Sequence, residues 1–327
     1  MGLLARVALA AACLLTAATA QAATLKLGVL KFGTVAWEME VIRQQGLDAR
    51  HGITIETVEL ASNDAGRIAL MSGAVDMIVS DLIFVARQRG EGVPLVFQPF
   101  SSAVGAVMTG ADSGIASWRE LRGKRLGVAG GPLDKSWVLL QAVAKATDGI
   151  DLAKEAQVVF GAPPLIAEKL RQRELDAGLL FWNFAARLSA EGYRTAFTMA
   201  AVEEALGASG PGAIVGYVFD ETRMGSPAQR QALAAFFAAS RDAKRLMRTD
   251  DSVWTAVRPL MQAKDEAAFA ALKAAFIAGI PTRPLEVEER DAERLFRVLH
   301  AAGGEKLVGK SATLPAGTFH RPAGAGH

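Results

Sequence analysis

Leu27-Gly28-Val29, a loop through Gly33 and then Trp37 return further along the chain as Leu126-Gly127-Val128, a loop through Gly130-Gly131 and then Trp137. The echo continues. Val75-Asp76, the apolar run Met77-Ile78-Val79 and Phe84-Val85-Ala86-Arg87 match Leu175-Asp176, the run from Ala177 to Phe181, and Phe184-Ala185-Ala186-Arg187. The distance from Leu27 to Leu126 is too long for a solenoid unit and suits a small lobe. One supersecondary plan built twice predicts two similar α/β lobes facing each other.

Working outward from the repeat, Leu25 to Leu30 reads as a buried strand and Thr34 to Gln45 as the helix after it. Ile53 to Leu60, Met77 to Val79 and Leu95 to Phe100 read as further strands, with helices over Asp64 to Ser72 and Leu82 to Arg89. Alternation of this kind implies parallel βαβ units with right-handed crossovers. Ser101-Ser102 then crosses into a second lobe built by the same grammar, and the glycine cluster Gly207 to Gly212 marks the return. Four amphipathic helices follow Pro227. The expected division is a first lobe of residues 23–102 and 213–310, a second of 103–212, and a loose tail over 311–327, rich in Pro and Gly.

Residues 1–22 stand apart from that plan. Arg6, the apolar stretch from Val7 to Thr16 and the small residues ending at Gln21-Ala22 have the grammar of a secretory signal cleaved after Ala22. The apolar run falls short of the ~20 residues that a membrane span needs. Cys13 is the one cysteine of the 327-residue chain. Cleavage would therefore leave no thiol, removing disulfides, cysteine nucleophiles and thiolate metal sites together. A formal charge of +2, reduced by loss of Arg6, gives no argument for nucleic acid or an anionic membrane as partner.

In open α/β sheets ligands lie beyond the carboxyl ends of the strands, and clefts between lobes are where small molecules bind. The rule selects Phe32, Gly33 and Thr34 with Trp37, then Asn63 and Asp64, Ser80 and Asp81, and Ser101 at the crossover. In the second lobe it selects Gly131 with Asp134, Lys135 and Ser136, and Trp182 with Asn183. Gly130-Gly131 before a helix suits an anionic oxygen met by backbone N–H groups, and equally a tight turn with Asp134 or Ser136 as cap. Asp64 and Asp81 each start a helix, where a cap carboxylate also accepts bonds from a ligand amine. Trp37 and Trp182 fit stacking from opposite lobes or, alternatively, lobe core, and Trp137 fits core. His51, His300, His320 and His327 all fall off these loops, so no histidine-based catalytic or metal arrangement is expected, nor any cofactor. Oxygen ligands from Asp64, Asp81 and Asp134 would still suit a hard cation if they converged.

Several segments carry a family resemblance: Leu27 to Thr34, Gly52-Ile53-Thr54-Ile55-Glu56, Leu70 to Asp76, Glu174 to Ala177 and, most specific, Leu121-Arg122-Gly123-Lys124-Arg125-Leu126-Gly127-Val128. With them the chain resembles periplasmic solute-binding proteins of ABC importers, and within that class the sulfonate, taurine, nitrate and thiamine-precursor group. The resemblance implies a type II-like two-lobed periplasmic-binding-protein fold, a small-molecule ligand, an inner-membrane ABC permease as partner, a periplasmic location and a monomer. Ser62-Asn63-Asp64 adds negative charge where the family usually has small and hydroxyl residues, which argues against an ordinary sulfonate. Some relatives are pyrimidine-synthesising enzymes that use histidine and a cysteine-rich motif. A mature chain without cysteine departs from them.

Overall fold

The computed structural model describes residues 23–31 and 33–321, so residues 1–22, read as a signal segment from sequence, and Phe32 lie outside the described residues. Among the described residues, ten strands form two five-stranded sheets. The first contains β1 (Ala23–Leu30), β2 (Ile53–Leu60), β3 (Met77–Asp81), β4 (Leu95–Ser101) and β10 (Val215–Asp220), in the order β2-β1-β3-β10-β4. The second contains β5 (Gly105–Thr109), β6 (Arg125–Ala129), β7 (Gln157–Gly161), β8 (Ala177–Phe181) and β9 (Arg194–Thr198), in the order β7-β6-β8-β5-β9. The two orders are one plan: three parallel strands, then an antiparallel strand (β10 or β5) fed by a crossover, then an edge strand.

The repeated Leu-Gly-Val is explained by packing. A Cβ on Gly28 would sit 2.6 Å from Leu60 Cδ1, and one on Gly127 would sit 2.5 Å from Leu175 Cδ1 and 2.7 Å from Ile166 Cγ2. In both lobes, the middle of the three parallel strands carries glycine because neighbouring side chains occupy the space above it.

Helices of the first lobe are α1 (Val35–Gln44), α2 (Asn63–Ser72) and α3 (Leu82–Gly90). The second lobe has α4 (Lys135–Asp148), α5 (Pro163–Arg171), α6 (Trp182–Ala190) and α7 (Met199–Ala205). The C-terminal part contributes α8 (Pro227–Thr249), α9 (Trp254–Met261), α10 (Glu266–Ala278) and α11 (Leu285–Val308). Ser226 and Gln229 close a capping box at α8, with Pro227 at its first position. α1, α8, α9 and α10 enclose one core with β1 and β10, around Trp37, Trp254, Phe236 and Phe276.

Three features depart from the sequence reading. β9 and α7 were not expected, because β9 is a short edge strand with Phe197 as its one buried residue. α11, assigned by sequence to the first lobe, lies over α4 of the second, with Leu295, Phe296 and Leu299 in one cluster with Trp137 and Leu140. Its Ala292 belongs to a first-lobe cluster with Phe84 and Val218, so the helix spans both lobes. The tail expected to be loose packs through Arg321. Phe97 N–H donates to Thr318 O (2.7 Å) and His320 N–H to Phe97 O (2.8 Å). Phe319 is buried with its ring edge-on to Phe97 at 5.5 Å, which extends the open side of β4.

Candidate functional site

At the carboxyl end of β2, the chain turns through Ser62-Asn63-Asp64 into α2. Ser62 is the cap, its Oγ accepting from Ala65 N–H at 3.1 Å. Asn63 follows, half-buried. Asp64, expected as a cap, instead stands at the second helical position with its side chain 76% exposed, 3.4 Å from Arg67. Asp81 does cap its helix: Oδ1 accepts from Phe84 N–H at 2.8 Å. Its other oxygen accepts from Arg67 Nη2, also at 2.8 Å. Arg67 lies over Phe84, Cζ 4.7 Å from the ring centre, and its Nε is buried with no hydrogen-bond partner. Sequence reasoning missed Arg67. Its spacing from Asp64 reads as an ordinary surface i,i+3 pair, and the stronger partner comes from another element.

The second lobe supplies the opposing wall. Gly130 has φ +102, a conformation that favours glycine, and the Asp134 carboxylate lies 3.1 Å from where its Cβ would be. Asp134 caps α4 by accepting from Ser136 N–H at 2.9 Å. Burial pushes its carboxyl above the usual range, Lys135 draws it back, and the Asp81 charge raises it further. Lys135 is buried with Nζ 4.9 Å over the Phe181 ring. Ser136 Oγ is buried with no partner. Asp64 Oδ2 comes within 3.9 Å of the position a Gly131 Cβ would take. Asp64, Arg67 and Asp81 of one lobe therefore face Gly131, Asp134, Lys135 and Ser136 of the other.

The remaining candidates are arranged differently. Phe32 lies outside the described residues. Gly33 N–H closes a turn onto Leu30 O at 2.9 Å, and Thr34 precedes α1 without a side-chain capping bond. Ser80 is buried at the end of β3 opposite Gly216, and Ser101 Oγ accepts from Ala103 N–H at 3.1 Å in the outgoing crossover. Trp37 is not a free stacking platform. It is 2% exposed in the first-lobe core, edge-on to Trp182 at 5.7 Å and 5.6 Å from Phe276. The two tryptophans do come from opposite lobes, but each covers the other. Asn183 is buried beside them. This contact is reinforced by Arg187 Nη2 donating to Met261 O at 2.6 Å and by Lys264 pairing with Glu191 at 2.8 Å.

Among the described residues, no group of three or more His, Cys, Asp or Glu side chains is placed to hold a metal ion. Asp81, one of the three carboxylates considered for a hard cation, has both oxygens engaged by Phe84 and Arg67. His51 pairs with Asp242 at 2.8 Å, and His320 lies between Phe219 and Phe237, neither near these walls. A cavity of about 1190 Å³ lies between β10, α8 and the tail, lined by Tyr217, Phe237, Lys244 and His320 among others, and none of the candidate residues borders it.

Comparison with known proteins agrees with this architecture. The alkanesulfonate-binding protein SsuA of Xanthomonas axonopodis pv. citri, solved with MOPS, superposes with a TM-score of 0.71 at 16% identity, covering 92% of this chain and 99% of that one. The periplasmic aliphatic sulphonate binding protein SsuA of Escherichia coli gives 0.67 at 17% identity, covering 91% and 92%. A zinc-bound ligand-binding component of an ABC-type import system from Staphylococcus aureus gives 0.63 at 13%, covering 92% and 97%. At these identities the likeness establishes the two-lobed periplasmic-binding-protein fold. No curated protein matches the chain in sequence. The family described as NMT1/THI5 like matches residues 40–214, a span from α1 through both walls of the cleft to the return crossover. Covering just over half of the chain and every charged residue of the two walls, that match places the protein in the NMT1/THI5-like family.

Proposed function

We propose that the protein is an exported, non-enzymatic receptor that takes up a small polar organic solute between its lobes and delivers it to an inner-membrane ABC permease. One observation carries the reading: Asp64, Arg67 and Asp81 meet Asp134, Lys135 and Ser136 across the cleft, with Arg67 Nε and Ser136 Oγ buried and unpaired. Buried polar atoms without partners are costly, and a ligand with both donor and acceptor groups would satisfy them. Gly131, Asn63 and Ser80 belong to the same site in this reading. The structural relatives that bind sulfonates or zinc support the role of solute capture, while the carboxylates here favour a ligand that also brings hydrogen-bond donors.

Thermal-shift screening against sulfonates, pyrimidines, amines and divalent cations tests this directly, since a ligand at 100 times its Kd adds ~2.7 kcal/mol to the native state. Scattering at saturation should show a smaller radius of gyration as the lobes close about the crossovers. Turnover of a bound compound would refute the receptor reading. N-terminal sequencing of the exported protein should begin at Ala23.

A further inference from the structure

The return crossover, residues 207–214, is held by carboxylates from two directions. Glu203 of α7 accepts Gly212 N–H through Oε2 at 2.8 Å, and Glu288 of α11 accepts the next amide, Ala213 N–H, through Oε2 at 2.9 Å. Both carboxyls are buried, and both of those oxygens lie within 4.0 Å of the point a Gly212 Cβ would occupy. Asp291 of α11 holds Ser209 N–H at 3.1 Å, and Arg283 reaches Pro211 O at 3.2 Å. Leu82 N–H donates to Ile214 O at 3.0 Å, tying the crossover to the start of α3. Glu203 Oε1 is buried with no partner, beside a cavity of about 10 Å³ that Glu288 and Asp291 also line.

We propose that Glu203 and Glu288 form a proton-operated lock on the return crossover. With one proton between them both carboxyls grip consecutive amides, and loss of that proton to solvent frees the segment that joins the lobes. The geometry asks for the proton, because Glu203 Oε1 is buried without a partner in the same small enclosure as Glu288, while Arg283 is engaged by Asp291. The charges facing Glu203 are Glu288 and Asp291 from α11, Arg283 just before it and Lys135 from α4. The cations do not prevail: burial first, and then Glu288, push the Glu203 carboxyl up to about 8 against the Gly212 bond, and burial pushes Glu288 up as well. The lock is a property of the fold and stands independently of the receptor reading. If that reading holds, solute capture becomes linked to the protonation state of this pair.

The folded chain keeps a proton on Glu203 that the unfolded chain releases above its ordinary value of 4.5, so this contribution to stability is full below 4.5 and is lost as pH rises to about 8. Glu203→Gln keeps an oxygen for Gly212 and cannot ionise. Its folding equilibrium constant relative to wild type should rise by roughly tenfold per pH unit across that window and level off above it. In the wild type without any ligand, hydrogen exchange at Gly212 and Ala213 should speed up above pH 8 beyond its intrinsic increase, while E203Q stays protected. Parallel pH profiles for E203Q and wild type would overturn the lock, as would wild-type amides that remain protected at pH 9. Failure to find a solute would leave these measurements unaffected, so the two proposals fail separately.

Discussion

Asp81→Asn isolates the charge of the Arg67 pair, because the amide retains an oxygen to cap α3 at Phe84 N–H. As a cap alone, Asp81 would tolerate asparagine at a cost of a few tenths of a kcal/mol. The structure sets a larger figure. The side chains of Asp81 and Arg67 are 8% and 14% exposed, and removing one partner of a buried pair costs about 3–5 kcal/mol. Asp64, 3.4 Å from Arg67 and well solvated, takes over part of the compensation, which places the loss near the lower end, about 3 kcal/mol. At ~2 °C per kcal/mol for a chain of this size, the melting temperature should fall by roughly 6 °C. Urea titrations followed by tryptophan fluorescence would measure it, and a double-mutant cycle with R67M should return a coupling of about 1.5–3 kcal/mol. If D81N unfolds within ~0.5 kcal/mol of wild type and shows no coupling to R67M, the pair contributes nothing to the fold and the reasoning is wrong.

Three further outcomes are expected. S62A should cost ~1 kcal/mol through loss of the α2 cap, whereas D64N should change stability by less than ~0.5 kcal/mol, so any large loss of ligand affinity in D64N reports direct contact. G127A should destabilise by roughly 1–3 kcal/mol by forcing Leu175 and Ile166 apart, read from chemical denaturation. In the first-lobe core buried Glu38 accepts from Tyr217 OH at 2.8 Å and pairs at 3.4 Å with Lys244, whose side chain is 12% exposed. E38Q alone should cost about 3–5 kcal/mol by leaving the Lys244 charge unmatched, and adding K244M should recover much of it; additive losses would contradict the pairing.

The fold was legible because both lobes impose the same steric demand at Gly28 and Gly127, and that demand leaves its mark in sequence. Caps were legible to within a residue or two. Ser62-Asn63-Asp64 offers three capping residue types in succession, and only backbone geometry chooses Ser62. Asp81 is legible as the cap of its helix, and of the two capping residues offered at α4, Asp134 and Ser136, the structure chooses Asp134. Arg67 was hidden because the value of a charge depends on what is buried beside it, and its partner is Asp81, at the far end of another strand. For Trp37 sequence leaves platform and core open for the same reason: its exposure is decided by Trp182 and Phe276, which approach from distant parts of the chain. The side of a helix that will be covered is written in α11, but not which lobe covers it. In the tail, one aromatic, Phe319, outweighs a composition of prolines and glycines.

The order of strands also determines the order in which the protein can be finished. Every strand of the second sheet lies between residues 105 and 198, whereas the first sheet needs residues 215–220 inserted between β3 and β4, and residues 318–320 laid along β4. As the chain is synthesised from its N-terminus, the part made first is thus the part completed last. Its central gap stays open until α8 begins to form, and its edge until almost the whole chain has been made. Such a nascent chain remains pliable through nearly all of its synthesis, and loss of its last dozen described residues would expose a strand made more than two hundred residues earlier.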